Sequence, residues 1–280
     1  MAWGCFCWIP CPYKKWNEAD RAAMVAALPL VGMCMGVIAG LVWWALHLLG
    51  VAPVLAGAVM TAAYFLLTGF IHLDGFMDCC DAVLPRHPDP ARRREILKDP
   101  HNGAFGIVSL VLMAMLFFAS AAAMSGELQV WHLIALPVML AVSRGCSAAA
   151  VLSKRPMETS QYGSLEEISR AKAIPARLIT ALVAAAGILV LVLMGNRVLP
   201  GDGALMGNGT LMGVLPGDGG AAGAITALIL VIAVTIIAAE VTGAADRKTL
   251  GGMSGDISGH MIVTSEMFGM LAGAMVTAAL

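Results

Sequence analysis

The chain has 280 residues, of which 59% are hydrophobic and only 12% carry a charge. With a mean hydropathy of +0.84, this composition excludes a single water-soluble globule, because soluble domains are roughly 45–50% apolar. The formal net charge of -1 gives no basic excess that would favour nucleic acid as a partner. The expected partner is therefore a lipid bilayer.

The N-terminal segment, residues 1–12, contains aromatic side chains and three cysteines but no basic stretch before an apolar core. A cleavable signal peptide is therefore not expected. Cys5, Cys7 and Cys11 allow two interpretations. They are either soft-metal ligands, although a CxxC pair and a nearby histidine are missing, or reduced cysteines on the cytoplasmic side. The second interpretation is favoured.

Seven apolar segments predict seven transmembrane helices, because about 20 residues rising about 1.5 Å each cross a hydrocarbon core of roughly 30 Å. The fold class is thus an all-α polytopic membrane helical bundle, and residues 1–280 are expected to form a single catalytic domain. The segments cover roughly residues 24–49, 51–72, 104–124, 131–152, 175–195, 221–240 and 260–280.

Basic residues alternate between the connections of these segments. They precede the first segment and follow the second, fourth and sixth, whereas the other connections contain only Arg197. The positive-inside rule then places the basic connections and the N-terminus in the cytoplasm. We predict a multi-pass protein of the cell inner membrane, for which a homo-oligomer is one permitted assembly.

The segment 197–220 is rich in glycine and repeats Val-Leu-Pro-Gly-Asp-Gly at 198–203 and 214–219. Such sequences predict turns in a flexible external loop. Calcium binding by the paired Asp-Gly turns is an alternative interpretation, but the carboxylates are too few for a closed oxygen cage. Turn formation is the preferred interpretation.

Three aspartates follow the second segment within His72-Leu73-Asp74-Gly75-Phe76-Met77-Asp78-Cys79-Cys80-Asp81-Ala82. Steps of four and three residues place Asp74, Asp78 and Asp81 on one face of the helix that leaves the membrane. Their mutual repulsion demands a cation or protons, and hard oxygen ligands with open water positions suit Mg²⁺. A solvated loop is the alternative, but it explains one or two acids better than three on one face.

His72 lies roughly opposite this face on a regular helix, so it is expected to pack or hydrogen-bond, with a general-base role as the alternative.

Downstream, Arg92-Arg93-Arg94-Glu95-Ile96-Leu97-Lys98-Asp99-Pro100-His101-Asn102-Gly103-Ala104-Phe105-Gly106 predicts a cationic helix closed by a glycine turn. Arginine and lysine side chains there suit polyphosphate, and a lipid-headgroup anchor is the alternative. The glycine turn is expected to face the aspartates.

The last segment is preceded by Gly251-Gly252-Met253-Ser254-Gly255-Asp256. Glycines at a helix start let backbone N–H groups approach an anion, and Asp256 is a further candidate metal ligand. Glu266, Glu240 and Arg144 are charges inside apolar segments, so they must find partners or water.

With these motifs the chain resembles the cobalamin synthase family, whose activity is adenosylcobinamide-GDP ribazoletransferase. The resemblance also rests on Phe6-Cys7-Trp8-Ile9-Pro10, Pro29-Leu30-Val31-Gly32 and Ser143-Arg144. It departs from the family at His101-Asn102, at Ser254 and in the 197–220 loop.

The resemblance implies an Mg²⁺-dependent transferase that joins adenosylcobinamide-GDP to α-ribazole or its 5′-phosphate at the cytoplasmic face. The products are adenosylcobalamin or its phosphate, and GMP. The expected catalytic residues are Asp78, Asp81 and Lys98. The expected substrate-binding residues are Arg93, Arg94, Asp99, Asn102, Arg144 and His72, and the expected metal ligands are Asp74, Asp78, Asp81 and Asp256.

Two other classes remain as alternatives. A CDP-alcohol phosphotransferase also uses an Asp-Gly cluster, but its signature requires Ala-Arg where this chain has Asp78-Cys79. An ion-coupled transporter would spread its carboxylates at mid-membrane depth. The acids here cluster at one end of a segment beside arginines, which favours the transferase.

Overall fold

The computed structural model describes residues 1–11, 16–158, 160, 162, 170–195 and 220–279. Within these residues the regular structure is helical, apart from one isolated β-bridge between Pro156 and Met253. The predicted all-α bundle is therefore confirmed. The predicted external loop at 197–220 lies outside the described residues except for Gly220, where a long helix begins.

The bundle consists of short helices at the N-terminus and between the long ones, and of long helices that pack side by side. In chain order they are α1 (Ala2–Phe6), α2 (Arg21–Ala26), α3 (Leu28–Leu48), α4 (Pro53–Thr68), α5 (Ile71–Val83), α6 (Pro90–Ile96), α7 (Ala104–Gly126), α8 (Val130–Ser153), α9 (Ile174–Gly195), α10 (Gly220–Leu250) and α11 (Gly255–Ala279).

Five of the described helices are long and apolar enough to cross a membrane, namely α3, α7, α8, α9 and α10. The pair α4 and α5 passes the same test together and raises the number to six if it forms one broken span. The predicted count of seven is not confirmed, because α11 is not among these helices. The helix α11 contains the wholly buried acid Glu266.

The second predicted span does not continue straight into the aspartates. The axes of α4 and α5 differ by 93°, and the two residues between them, Gly69 and Phe70, have left-handed φ values of 57° and 64°. This backbone conformation ends a helix, because it cannot continue the right-handed hydrogen-bond ladder. The expectation that one membrane helix carries Asp74 is therefore wrong, and the acids lie on the separate helix α5.

The helix α8 lies at the centre of the bundle and is buried over most of its length. The helix α3 approaches it closely at Gly32 and Gly36, where an added Cβ would collide with the backbone of Leu140 and Pro137. Small residues at such contacts allow van der Waals packing between membrane helices. The helix α8 in turn contacts α11, which packs against α5.

A buried ion pair crosses the interior between α8 and α11. Arg144 donates to Glu266, and both side chains are completely inaccessible to solvent. The Ser143 hydroxyl also donates to Glu266, and Arg144 donates to the carbonyl oxygen of Leu140. Two of the intramembrane charges identified in the sequence thus neutralise each other.

Candidate active site

Asp74, Asp78 and Asp81 lie on one face of α5, as their spacing predicts, and this face is called the acidic face. Asp74 is exposed, whereas Asp78 and Asp81 are half-buried. The opposite side of the helix is buried and includes His72 and Cys79. The helix is therefore amphipathic, with its carboxylates on one face and its packing residues on the other.

The start of α11 brings a fourth carboxylate to this face. A Cβ added to Gly75 would lie 2.7 Å from the Asp256 Cα, so the two backbones are in direct contact. A Cβ on Gly259 would lie 2.9 Å from the carbonyl oxygen of His72. Only glycines permit this approach, and it places Asp256 where its charge and that of Asp74 act on Asp78.

Asp81 has a different environment from the other acids. Its Oδ2 accepts the backbone N–H of Gly103 at 2.8 Å, and its Oδ1 accepts that of Gly106 at 2.9 Å. These donors belong to the start of α7, where N–H groups lack helical partners and favour an anion. The glycine turn thus lies against the acidic face as expected, and Asp81 anchors α7 to α5.

The remaining carboxylates carry charge without a cationic partner. Among the described residues, no arginine or lysine forms an ion pair with Asp74, Asp78 or Asp256. Burial raises the pKa of the Asp256 carboxyl, the Ser254 hydroxyl at 3.3 Å lowers it, and the charge of Asp74 raises it. Such a group of acids takes up protons or a cation.

The carboxylate oxygens of the acidic face lie farther apart than the ligand atoms of a closed metal site. Within the described part of the chain, three His, Cys, Asp or Glu ligand atoms lie within 4.8 Å of one another only in a separate group, formed by Cys79, Asp246 and His260. Magnesium keeps several water ligands and commonly binds through one or two carboxylates together with substrate phosphates. An open carboxylate set is compatible with that mode of binding.

Arginines of α6 border the site on another side. Arg93 and Arg94 are half-buried, whereas Arg92 is exposed and pairs with Glu95 at 2.8 Å. The Arg93 Nε is buried and lacks a hydrogen-bond partner among the described residues. Arg94 reaches the turn before α11, since its Nη1 lies 3.5 Å from the position of a Cβ on Gly251.

Lys98, Asp99 and Asn102 are exposed on the connection between α6 and α7. The Asp99 carboxylate accepts the backbone N–H of His101 at 3.0 Å and contacts the His101 ring at 2.7 Å. The hydrogen bonds from His101 are the main cause that lowers the pKa of Asp99. The predicted substrate contacts of these residues remain predictions.

The other two predicted substrate-binding residues lie inside the protein. Arg144 contacts Glu266 in the interior, and His72 is 4% exposed and stacks on Phe6 at a ring-centroid distance of 6.2 Å. The packing role expected for His72 is what the structure shows. No contact between Arg144 and the carboxylates of α5 is seen within the described residues, so its substrate role stays a prediction.

Two features near the site were not recognised as such in the sequence. Arg247 on α10 has a buried Nη1 without a hydrogen-bond partner among the described residues. Asp246 accepts a 2.7 Å hydrogen bond from His260. In the sequence, Asp246 and Arg247 lie just before the Gly251-Gly252 turn and His260 lies after it. A basic residue at that position is also explained by the positive-inside rule.

A multi-pass helical bundle whose carboxylates lack a cationic partner among the described residues, and lie beside half-buried arginines, is typical of a membrane-embedded enzyme for phosphate-linked substrates. Comparison with protein families identifies the particular family. The model of cobalamin-5-phosphate synthase matches residues 1–274. The chain belongs to this family.

Curated relatives agree with this assignment. A protein of Clostridium botulinum (strain Alaska E43 / Type E3) named adenosylcobinamide-GDP ribazoletransferase is 28% identical over 281 residues, which covers 99% of this chain and 96% of the relative. A protein of the same name from Clostridium perfringens (strain SM101 / Type A) is 28% identical over 97% of this chain and 94% of its own length.

A match over a shorter part of the chain has a higher sequence identity. A protein of Stutzerimonas stutzeri (strain A1501) with the same name is 44% identical over 93 residues, or 33% of this chain and 37% of the relative. No solved structure matches the chain.

Proposed function

We propose that this chain joins adenosylcobinamide-GDP to α-ribazole or its 5′-phosphate and releases GMP, as a late step of cobalamin synthesis. The family match over residues 1–274 and the names of the nearly full-length relatives support this activity. The observation that carries the catalytic part is the apposition of α5 and α11. It gathers Asp74, Asp78 and Asp256 without a cationic partner among the described residues.

The reaction is a substitution at phosphorus. A hydroxyl oxygen of the ribazole attacks the phosphorus that carries the corrinoid, and the bond from that phosphorus to the bridging oxygen of GMP breaks. The hydroxyl proton is lost, and GMP leaves with the electron pair of the broken bond. The products are adenosylcobalamin or its phosphate, and GMP.

Negative charge on the diphosphate is the main obstacle to this substitution. The chemistry of the carboxylate set fits Mg²⁺, which Asp74, Asp78 and Asp256 would hold. Asp81 is a further candidate through its remaining lone pairs. When bound, magnesium neutralises charge on the phosphate oxygens.

In this proposal Arg93 and Arg94 bind the guanosine phosphates. Guanidinium groups match phosphate oxygens with two parallel hydrogen bonds, and the Arg93 Nε has no protein acceptor among the described residues. Lys98 is exposed and adds a positive charge on the connection that follows α6. Together these residues stabilise the leaving GMP.

Asp78 is the better candidate for accepting the ribazole proton. Asp81 already uses both oxygens to accept backbone N–H groups from the start of α7, so these contacts would compete with a substrate proton. Asp78 is half-buried and, among the described residues, accepts no hydrogen bond that would occupy its oxygens.

The basic residues around α6 support a cytoplasmic site in the inner membrane. A GDP-linked substrate is soluble enough to reach that face. The protein is a multi-pass membrane protein by the length and apolar character of its helices.

The activity is tested with purified protein in lipid nanodiscs. Adenosylcobinamide-GDP, Mg²⁺ and either α-ribazole or its 5′-phosphate are supplied, and GMP and the corrinoid product are quantified by chromatography. We expect equal amounts of GMP and product, and no release of CMP from CDP-diacylglycerol with an alcohol acceptor. GMP release without corrinoid product, or no turnover of either ribazole, would contradict the proposal.

A further inference from the structure

A second group of potential ligands lies behind the acidic face. The Cys79 Sγ on α5, a carboxylate oxygen of Asp246 on α10 and a ring nitrogen of His260 on α11 lie within 4.8 Å of one another. The His260 Nδ1 is 2.7 Å from the Asp246 Oδ2. Three helices that are distant in the chain thus direct sulfur, oxygen and nitrogen donors to one point.

This group is distinct from the acidic face. Cys79 follows Asp78 directly, and successive side chains on an α-helix point about 100° apart. Cys79 is completely buried and Asp246 is 2% exposed, whereas Asp74 on the acidic face is exposed. The ring of Phe76 packs edge-on against His260, whose side chain is 16% exposed, at a centroid distance of 5.4 Å.

We propose that Cys79, Asp246 and His260 bind a zinc ion. A thiolate, an imidazole and a carboxylate are the ligand types that Zn²⁺ takes in proteins, usually in a tetrahedral arrangement. Magnesium does not prefer sulfur or nitrogen ligands, so the two sites select different metals. Three protein ligands leave a fourth position for water.

The electrostatics of the interior support a cation at this point. Asp246 and His260 form a hydrogen-bonded pair, and a zinc ion that replaces the proton between them would bind both groups and deprotonate the neighbouring thiol. One divalent ion would neutralise Asp246 and Cys79 together, while His260 would bind through a ring nitrogen that now contacts Asp246. The ion would also join α5, α10 and α11 close to Asp78 and Asp256, and so stabilise the supports of the acidic face.

The inference rests on these contacts alone and is independent of the proposed transferase activity. The full chain is purified in detergent, incubated with excess ZnCl₂, desalted and analysed for zinc by mass spectrometry. We expect about one tightly bound zinc per chain. The variants Cys79→Ser and His260→Ala should each retain less than about a fifth of that amount, because loss of one of three ligands opens the site.

A matched control is the double variant Cys5→Ser/Cys11→Ser, which removes two other thiols that are not fully buried. It should keep the wild-type zinc content. Loss of zinc in this variant, with zinc retained in Cys79→Ser, would assign the metal to the N-terminal cysteines and overturn the proposal. Wild-type protein that retains no zinc would also overturn it, and would leave Asp246 and His260 as a simple hydrogen-bonded pair.

X-ray absorption at the zinc edge keeps the proposal testable if the variants fail to fold. In the wild-type protein we expect a single sulfur at about 2.3 Å and nitrogen or oxygen atoms at about 2.0–2.1 Å. A spectrum with two or more sulfurs, or with none, would contradict the ligand set. GMP release plays no part in either measurement, so failure here and failure of the transferase proposal remain distinguishable.

Discussion

Two groups of charged side chains in this apolar chain differ in how their charge is balanced. In the interior, Arg144 and Glu266 are wholly buried and pair with each other. On the acidic face, Asp74, Asp78 and Asp256 repel one another and have no cationic partner among the described residues. A charge balanced within the protein stabilises the fold, whereas an unbalanced cluster is typical of a ligand site.

The largest expected effect is on stability, at the interior pair. Glu266→Ala leaves the Arg144 guanidinium buried without a counter-charge, and loss of one partner of a buried pair costs about 3–5 kcal/mol. Thermal unfolding in detergent micelles should show this loss. The double variant Arg144→Met/Glu266→Met should recover much of it, and a single variant as stable as the wild type would remove the distinction between the two groups.

At the acidic face we expect a loss of activity without a loss of stability. Asp78→Asn should lower the rate of GMP release by about 10²–10³-fold, because removal of a charge that stabilises the transition state costs several kcal/mol. Its thermal stability should stay equal to that of the wild type or rise, since a repulsive charge is removed. Glu95→Gln alters an exposed, paired acid outside the site and should leave turnover unchanged. Equal activities of the two variants would reject the catalytic role of Asp78.

Asp81 shares features of both groups. It lies on the acidic face, but it accepts two backbone N–H groups from the start of α7. Asp81→Ala should therefore lower the free energy of unfolding by about 2 kcal/mol, because hydrogen bonds to a charged group contribute roughly 1.5–3 kcal/mol each and water replaces part of them. Chemical unfolding followed by fluorescence measures this change. An unchanged stability would mean that the carboxylate does not anchor α7.

A smaller effect is expected at the cationic border. Arg93→Ala should raise the KM for adenosylcobinamide-GDP by about tenfold, the effect of one or two charge-assisted hydrogen bonds. Arg92→Ala is the matched control, since Arg92 is exposed and pairs with Glu95, and its KM should change by less than about twofold. If both variants only lower the amount of protein in the membrane, these arginines act as a lipid anchor.

Local features of the site could be predicted from the sequence. The steps between Asp74, Asp78 and Asp81 fix their common face on any helix, and the glycine turn at Gly103 was expected near them. The all-α class followed from the apolar segments. These inferences depend only on helical periodicity and on hydropathy.

Long-range contacts could not be predicted in the same way. The approach of Asp256 to Gly75 and the pairing of Arg144 with Glu266 join residues more than a hundred positions apart. The spacing of residues along the chain does not predict such contacts. The bend after α4 depends on a left-handed φ at Phe70, a residue type that rarely adopts it. The predicted count of seven spans did not include this bend, and it included α11, which is not among the candidate spans of the described residues.

Metal preference at Asp78 tests the central claim most directly. A thiolate favours soft cations and binds Mg²⁺ poorly, so GMP release by Asp78→Cys in nanodiscs is compared in Mg²⁺ and in Cd²⁺. We expect the wild type to be active with Mg²⁺, and the variant to be inactive with Mg²⁺ but to regain turnover with Cd²⁺. Undiminished turnover of Asp78→Cys with Mg²⁺ would contradict the account, because the Asp78 carboxylate would then hold no metal.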